Sequence, residues 1–328
     1  MARILTPHAE NLRICAEALQ RGEIVAIPTE TVYGLAANAT STEAVRKIFE
    51  AKERPLEDPL IVHLPPDYPL SQIAEPTPLF EKLRPHLWPG PVTFILPKKN
   101  TIPSLTTAGQ PSVAVRCPAH PVMLELLRLG QIPLAAPSAN PFGYISPTTA
   151  HHVAGSMGDR LDLILDGGPC EVGFESTILD VRREDHIRIL RPGALNPEDL
   201  ETIARVPVLR PSTSPESGPI EAPGTLLRHY SPRLPLSLHQ DLSSLRPQPG
   251  YGYLFYQKPS PDWTPEGPSS WSVSWLTEQG SPEEAGRNLY ACLRQLDQSA
   301  THGIHAERIP PGGLSEALND RLQRAAAS

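Results

Sequence analysis

Short apolar runs recur through the first two-thirds of the chain, and most of them stop abruptly at polar residues, glycine or proline. These runs lie within residues 24–28, 60–64, 92–96, 112–116, 134–136, 162–166 and 187–190, and residues 175–179 add a strand that begins with polar side chains. Short, continuous apolar runs are typical of strands that are buried on both faces of a sheet. Because helical patterns separate several of the runs, the sequence predicts an α/β fold, of the layered α+β kind, that ends near Arg205.

The run at 134–136 leads into a group of small polar side chains. Residues 133–149 read PLAAPSANPFGYISPTT, in which Ser138, Asn140 and Ser146 follow the apolar run. Ligands of open α/β sheets bind outside the carboxyl ends of the strands, and prolines hold such a loop in one shape at a low entropic cost. The stretch therefore predicts a binding loop at the carboxyl edge of the sheet. The stretch alone leaves open a proline-rich turn in which serine and asparagine cap the backbone.

Two cations, Lys52 and Arg54, leave the end of a predicted helix that Pro55 terminates. Side chains two residues apart in an extended segment point to the same side, so the pair suits a polyphosphate, with lysine as a compact charge and arginine as a fork. A solvated basic helix end that complements the helix dipole is the alternative. The hydroxyl groups at 29–31 follow another apolar run and predict a second polar group at the sheet edge, or a turn with threonine caps.

Two further runs contain residues that are suited to binding. His63 lies in the run 60–64, where a lone histidine is more often a core or edge residue than a catalyst. Arg116 ends the run 112–116, and an arginine at a strand end is suited to hold a carboxylate or a phosphate. A surface ion pair, which would stabilise the fold little, is the alternative for Arg116.

The composition narrows the classes of function. The chain of 328 residues has a net charge of −7 and a pI near 5.9, which argues against a protein that coats nucleic acid. The common nucleotide motifs GxxxxGKS/T and GxGxxG are absent. The four cysteines form no CxxC pair, which disfavours zinc and a disulfide scaffold and fits a reducing compartment. The N-terminus lacks a signal-peptide pattern, and we expect a soluble cytoplasmic protein without a membrane partner.

The composition changes after the predicted sheet domain. Residues 207–223 are rich in proline, serine, glycine and glutamate, as in a linker, and the residues that follow are more aromatic and charged. A segment of this kind can fold back over a site as a lid. The sequence therefore predicts a catalytic domain at 1–205, a linker and lid at 206–231, and a small C-terminal α/β domain at 232–328.

Ten segments, which together cover nearly all of residues 20–195, resemble the threonylcarbamoyl-AMP synthase family of the YrdC type. In chain order they read IPTETVYGLAANA, AKERP, PLIVH, WPGPVTFIL, VAVRCPAHP, PLAAPSAN, ISPT, DGG, ESTI and LRPG. The segment PG…RHYSP and the final GGLSEALNDRL…AA are similar to the long form of the family, which adds a linker and a small C-terminal domain. The resemblance implies a YrdC-like twisted mixed sheet with helices, followed by a small α/β domain.

The resemblance also implies an activity. Members of this family are nucleotidyltransferases that join L-threonine, bicarbonate and ATP, with Mg²⁺ on the nucleotide, into threonylcarbamoyl-AMP and release pyrophosphate. A downstream tRNA threonylcarbamoyl transferase then uses the product to modify adenosine 37 of tRNA. The resemblance thus implies an ATP-binding and threonine-binding enzyme of tRNA processing without a resident metal site. It leaves open a weak contact with tRNA.

The same resemblance assigns roles to individual residues. The family's catalytic tetrad, which holds the triphosphate, matches Lys52, Arg54, Ser138 and Asn140. The threonine contacts would be Thr31, His63, Arg116, Ala136 and Ser176. The further nucleotide contacts would be Asp58, Ser112, Ser146, Arg191 and Tyr230. Relatives carry Asn or Asp at Asp58, and an acidic side chain there needs a metal ion or Lys52 beside the phosphates.

Two rival functions are weighed against the synthase. A carbamoyl-transferring hydrogenase-maturation enzyme contains a related domain, but it adds an acylphosphatase-like module and CxxC zinc pairs, which this sequence lacks. A non-enzymatic RNA-binding module is the second rival, and the acidic net charge and the intact tetrad count against it.

Overall fold

The structure, a computed structural model, describes residues 1–211, 222–224, 228–263 and 271–327. The chain divides into two compact units, of which the first contains Met1–Phe142, Pro147–Glu171 and Glu175–Thr225, and the second Gly143–Ser146, Val172–Phe174 and Leu226–Ser328. None of the described helices is long and apolar enough to cross a membrane. Much of the predicted linker, at 212–221 and 225–227, lies outside the described residues, and the predicted domain boundaries stay predictions.

The first unit is built on a mixed sheet, to which eleven strands of the described residues belong. In chain order these are β1 (Arg3–Leu5), β2 (Val25–Ile27), β3 (Gly34–Asn38), β4 (Ile61–His63), β5 (Val92–Pro97), β6 (Ser112–Arg116), β7 (Leu134–Ala135), β8 (Leu163–Leu165), β9 (Thr177–Asp180), β10 (Ile187–Arg191) and β11 (Val208–Leu209). Their order across the sheet is β1-β8-β2-β3-β7-β4-β6-β5-β9-β10-β11. The predicted mixed α/β fold is confirmed.

Six helices of the described residues accompany this sheet. They are α1 (Ala9–Gln20), α2 (Thr42–Lys52), α3 (Pro78–Leu87), α4 (Pro121–Gly130), α5 (Ala150–Met157) and α6 (Pro197–Ala204). A side-chain cap fixes the start of α2, where the hydroxyl of Ser41 accepts a hydrogen bond from the Ala44 N–H. A proline in the first turn opens α3, α4 and α6, a position where the missing N–H is harmless.

Successive strand residues divide between the two faces of the sheet. On one face, residues such as Val62 and Phe94 pack with α2 and α3; on the other, residues such as Val25 and Leu134 pack with α1 and α4. We call the second side the α1 face. Farther along it lies a small apolar cluster of Ile61, Ile95, Ala114, Ile178 and the linker residue Ala222. Because the central strands are buried on both faces, their sequences are continuous apolar runs.

The second unit contains a smaller sheet in which the described strands all run parallel. These strands are β12 (Leu236–His239), β13 (Tyr251–Gln257), β14 (Ser272–Thr277) and β15 (Gly303–Glu307), in the order β12-β15-β13-β14. Helix α7 (Pro282–Ser299) packs on β13 and β14, and helix α8 (Ser315–Ala326) contacts β12. The predicted small α/β domain is confirmed.

Candidate active site

Three polar side chains form a row across neighbouring strands of the larger sheet. His63 ends β4, Arg116 ends β6 and Thr93 lies near the start of β5; Arg116 is level with both of the others in the strand register. Residues that are level on neighbouring strands project from the same face. The chain neighbours Val62 and Val115 pack in the core on the α2 side, so this row lies on the α1 face.

Arg116 is held by two side chains of the loop that follows β2. Its Nη1 donates to the Thr31 hydroxyl at 2.9 Å, and its Nη2 donates to Glu30 Oε1 at 2.6 Å. Arg116 and Glu30 are both buried. The alternative of a surface ion pair is therefore wrong, because burial removes the solvent screening that makes surface pairs weak.

The row continues toward β9 and β10 through Ser176. The hydroxyl groups of Thr93 and Ser176 lie 2.8 Å apart. Arg191, the last residue of β10, donates to the Ser176 hydroxyl and to its carbonyl oxygen, each at 3.1 Å. It also donates to the carbonyl oxygen of Pro223 at 3.1 Å. The described part of the linker therefore lies against the side of the sheet that carries the predicted threonine contacts.

The loop after β7 runs in a direction that the sequence does not predict. Strand β7 is antiparallel to β4, and the Ala136 N–H donates to the Ile61 carbonyl at 3.0 Å. From there the chain moves toward Ser138 and Asn140 at the amino end of β4, away from His63. The expectation of one shared carboxyl edge is wrong, because an antiparallel strand ends at the opposite edge.

Lys52 binds this loop through the backbone. It is the last residue of α2, it is buried, and its Nζ donates to the carbonyl oxygens of Ser138 and Asn140, both at 2.5 Å. Glu53, the next residue, has a left-handed backbone with φ 54°. The segment from Lys52 to Arg54 is therefore not extended, and that part of the sequence argument is wrong. Burial lowers the pKa of Lys52.

Arg54 and Asp58 form a buried ion pair next to Lys52. Arg54 Nη2 lies 2.8 Å from Asp58 Oδ2, and the guanidinium also donates to the carbonyl oxygens of Asp58 and Pro59. Burial raises the pKa of Asp58, and the charges of Arg54, Lys52 and Arg191 oppose that rise. Asp58 is thus paired with Arg54, and the charges of Lys52 and Arg191 act on the same buried carboxyl group. Basic side chains grouped in this way are suited to a polyanion.

Ser112 and Arg116 occupy opposite ends of β6. Four residue steps along a strand span about 13 Å. Strands β4 and β6 are parallel, with Ala114 level with Ile61, so Ser112 lies toward the amino end of β4. The predicted nucleotide contact Ser112 therefore lies on the side of Arg54 and Pro59, away from the row of Arg116.

His63 is a neutral imidazole. Burial, and to a smaller extent the charge of Arg116, lower the pKa of His63 to about 3. Its Nδ1 lies 3.3 Å from the Ile61 carbonyl oxygen. A base with so low a pKa removes protons poorly at neutral pH, so this side chain is suited to hydrogen bonding and not to general-base catalysis.

Ser146 and Tyr230 belong to the second unit. Ser146 is buried, and its carbonyl oxygen accepts a hydrogen bond from Arg294 Nε at 3.4 Å. Tyr230 is buried, and its backbone φ is 62°. The centroid of its ring lies 4.1 Å from that of His229 and 5.8 Å from that of Tyr290. The contacts of both residues lie within the second unit, and the roles of Ser146 and Tyr230 in nucleotide binding stay predictions.

Comparisons with known protein families cover almost the whole chain. A family model described as "Telomere recombination" matches residues 17–193, just over half of the chain. A second, described as "Threonylcarbamoyl-AMP synthase, C-terminal domain", matches residues 196–327. The chain belongs to the threonylcarbamoyl-AMP synthase family. The predicted resemblance is confirmed, including the long form that carries a C-terminal domain.

Individual members of the threonylcarbamoyl-AMP synthase family match over most of their length. The Bacillus subtilis threonylcarbamoyl-AMP synthase is 39% identical over 326 residues, covering 95% of this chain and 91% of that protein. The Pyrococcus abyssi threonylcarbamoyl-AMP synthase is 37% identical, covering 96% and 93%. The crystal structure of P. abyssi Sua5 complexed with L-threonine superimposes with a TM-score of 0.87 at 35% identity, covering 99% of this chain and 97% of that one.

The sequence does not identify two polar residues of the site. Glu30 is the buried partner of Arg116, and Thr93 joins Arg116 to Ser176. The available signals are weak: an acidic residue flanked by threonines directly after a buried strand, and one hydroxyl within an apolar run. Neither pattern distinguishes a site residue from a capping or solvent-facing one.

The expected role of magnesium, as a companion of ATP, stays a prediction. Within the described ranges, no group of three or more His, Cys, Asp or Glu side chains is arranged to hold a metal ion. Asp58 is already paired with Arg54 and lies beside Lys52. A single carboxylate next to cations does not make a resident site, whereas Mg²⁺ that arrives on phosphate oxygens keeps several waters and needs one or two carboxylates.

Proposed function

We propose that this chain is an L-threonylcarbamoyladenylate synthase, a nucleotidyltransferase that forms threonylcarbamoyl-AMP and pyrophosphate from L-threonine, bicarbonate and ATP. The product would supply the N6-threonylcarbamoyl group at adenosine 37 of tRNA. The observation that carries the proposal is the pair of polar groups along β4. One is the buried Arg116 row beyond its carboxyl end, and the other is the cation group of Lys52 and Arg54 beyond its amino end.

Threonine would bind at the Arg116 row. The guanidinium, fixed by Thr31 and Glu30, offers its positive charge to the threonine carboxylate in a buried position where charge-assisted hydrogen bonds are strong. The neutral His63 and the Ser176 hydroxyl supply further polar contacts for the amino acid. The backbone at Ala136 lies between this row and the phosphate side of the site.

ATP would bind with its phosphates near Lys52 and Arg54. The buried ammonium of Lys52, held against the loop that carries Ser138 and Asn140, would neutralise the triphosphate. Arg54 is positioned by Asp58 and is suited to phosphate oxygens as a planar fork. Mg²⁺ would arrive with the nucleotide and screen the phosphate charge next to Asp58.

The reaction needs no covalent enzyme intermediate. Bicarbonate supplies carbon dioxide and hydroxide; the threonine amine adds to the carbon dioxide and loses its proton to that hydroxide, which gives a carbamate and water. A carbamate oxygen then attacks the α-phosphorus. The bond to the β-phosphate oxygen breaks, and pyrophosphate leaves. The chain contributes positioning and charge stabilisation, as in other phosphoryl transfers, and the low pKa of His63 argues against that side chain as the base.

The wider setting belongs to the same proposal. A separate tRNA threonylcarbamoyl transferase would consume the product, and the four free cysteines are consistent with a reducing cytoplasm. The rival carbamoyl-transferring and RNA-binding functions gain no support from the paired groups along β4, because neither needs an amino-acid carboxylate site beside a phosphate site.

An omission assay tests the proposal. Purified protein is given ATP, Mg²⁺, L-threonine and bicarbonate, each omitted in turn, while pyrophosphate is measured and the adenylate is detected by mass. We expect pyrophosphate only with the complete mixture. In Lys52→Ala we expect turnover to fall by roughly two orders of magnitude or more, because a buried cation at the phosphates stabilises the transition state.

A matched variant on the same helix controls for indirect effects. Lys47 is exposed on α2 and donates to the Gly22 carbonyl oxygen, so Lys47→Ala should turn over like the unaltered protein. Equal pyrophosphate release without threonine, or full activity in Lys52→Ala, would overturn the proposed function.

A further inference from the structure

The second unit contains a cavity of about 1050 Å³ that the proposed synthase reaction does not use. Its walls come from the last residues of β13 and β15 and from the segments that follow β12, β13 and β15, such as Asp241, Trp263 and Arg308. These three strands are parallel neighbours in the sheet. The cavity therefore lies outside the carboxyl ends of a parallel sheet, where α/β folds bind their ligands.

The chain connections open this crevice between β13 and β15. After β13 the chain continues to β14 at one edge of the sheet, whereas after β15 it continues to α8, which packs toward β12 at the other edge. Two neighbouring strands whose connections diverge in this way define a topological switch point. The cavity lies at this point, and its walls include Gln240 and Pro247 of the connection that follows β12.

A carboxylate is fixed at this switch point. Glu307 ends β15, and its Oε2 accepts a hydrogen bond from the Tyr256 N–H of β13 at 2.8 Å. The Leu242 N–H also donates to it, and the Asp241 carboxyl lies within hydrogen-bond reach. Burial raises the pKa of Glu307. A carboxylate held by backbone amides at a strand end is positioned to accept hydrogen bonds from ligand hydroxyl groups.

Two arginines line the same cavity without protein partners in the described part of the chain. Arg308 is half-buried directly after β15, and Arg246 is exposed in the loop after β12. Within the described ranges, neither guanidinium makes a hydrogen bond or an ion pair. A half-buried arginine that lacks a protein acceptor retains its fork of donors for an anionic group of a ligand.

An aromatic side chain also lines the cavity. Trp263 lines the cavity, and its indole N–H donates to the Leu242 carbonyl oxygen at 3.1 Å. Its ring also packs edge-on against Phe255, with the ring centroids 4.7 Å apart. The ring is therefore held in one orientation, as a stacking surface for a flat ligand requires.

We propose that this cavity is a second nucleotide site, which binds a free nucleoside phosphate. The base would stack on Trp263, the ribose hydroxyl groups would donate to Glu307 and Asp241, and the phosphate would bind Arg308 and Arg246. The volume is close to the upper end of the range for small-molecule pockets and is large for a lone amino acid. A metal site does not fit, since the described residues contain no suitable ligand group.

Equilibrium dialysis with ATP, in the absence of threonine and bicarbonate, tests this inference. The unaltered protein should bind two ATP molecules per chain, and Lys52→Ala should bind one. In the Lys52→Ala background, Arg308→Gln should weaken the remaining site by about tenfold to a hundredfold, as expected for the loss of a charge-assisted hydrogen bond. ATP should also quench tryptophan fluorescence in Lys52→Ala, and Trp263→Phe should remove that signal.

Controls separate this inference from the proposed synthase reaction. Arg308→Gln alone should keep full pyrophosphate release, and Arg287→Gln, exposed on α7 and outside the cavity, should keep both sites. Arg246→Gln, at an exposed position, repeats the test without risk to the fold. Failure of Lys52→Ala to bind nucleotide, unchanged binding in both cavity arginine variants, or binding of short RNA but not of ATP or AMP would overturn the second site. If the unaltered protein instead binds a single ATP, which Lys52→Ala retains and Arg308→Gln weakens, the second site stands and the proposed synthase is contradicted.

Discussion

Arg116 has protein partners of its own before any substrate binds. Thr31 and Glu30 hold two of its guanidinium nitrogens, while Nε has no hydrogen-bond partner within the described residues. A buried donor without a partner is costly, and a substrate carboxylate would satisfy it. The arginine is therefore fixed in position by the protein and left with unused binding capacity, which is the state expected of a preorganised carboxylate site.

Arg116→Lys tests this residue directly. The lysine keeps the charge beside Glu30 but cannot contact Glu30, Thr31 and a ligand carboxylate together as a planar fork. We expect the KM for threonine to rise by roughly tenfold to a hundredfold and the KM for ATP to change much less. Steady-state pyrophosphate release with each substrate varied in turn measures both values.

An exposed arginine–glutamate pair provides the control. Arg128 binds Glu125 through two nitrogens, at 2.8 and 2.6 Å, but both side chains are exposed. Arg128→Lys should leave both KM values unchanged, since exposed pairs contribute little. Equal increases in the two KM values of Arg116→Lys would contradict a threonine-specific role.

At the scale of elements, glycines set how closely loops approach the sheet. A Cβ at Gly193 would lie 2.3 Å from the backbone nitrogen of Thr177, next to Ser176. Gly193→Ala should therefore force the loop after β10 away from β9 and lower the free energy of unfolding by about 1–3 kcal/mol. Gly155, exposed in α5 with open space around it, is the matched control, and Gly155→Ala should raise that free energy by about 0.5–1 kcal/mol.

Urea unfolding of both glycine variants, followed by circular dichroism, measures the two changes. A stable Gly193→Ala protein would show that the loop after β10 yields without strain. A destabilised Gly155→Ala protein would mean that α5 depends on its glycine for a reason other than helix propensity.

The elements also show what the sequence can and cannot predict. The run at 112–116 became β6 with the same bounds, because burial on both faces produces an unbroken apolar run. Strand β3, Gly34–Asn38, is absent from the predicted runs, since glycine and alanine carry little strand preference and only its neighbours β2 and β7 make it a strand. The antiparallel direction of β7 also escaped prediction, because hydrophobic periodicity carries no strand direction.

The site shows the same limit. For Lys52 and Arg54 the prediction from local spacing rests on an extended segment that does not occur, yet both side chains are buried and the charges of both act on Asp58. Matching a family motif identified them, whereas local spacing did not. Glu30 could not be recognised, because its role depends on Arg116, which is distant in the chain and meets it only through the sheet.

At the scale of the whole molecule, charge sets the expected dependence on RNA. The net charge of −7 gives little general attraction for tRNA. We therefore expect pyrophosphate formation to be the same with and without tRNA, because both proposed substrate groups lie along β4 and are small-molecule sites. A protein that depends on many phosphate contacts would lose affinity for RNA steeply between about 50 and 200 mM salt.

The test of this prediction is pyrophosphate release measured across that salt range. The assay contains either tRNA or heparin, which serves as an unrelated polyanion. We expect a shallow salt dependence and no stimulation by either polymer, with intact threonylcarbamoyl-AMP detected by mass in every case. Stimulation by tRNA that heparin does not reproduce, and that vanishes at higher salt, would indicate an RNA-binding surface. An absolute requirement for tRNA would mean that the adenylate forms only in a complex with its acceptor. The two groups along β4 would then be insufficient for the reaction, and the inference from the acidic net charge would be wrong.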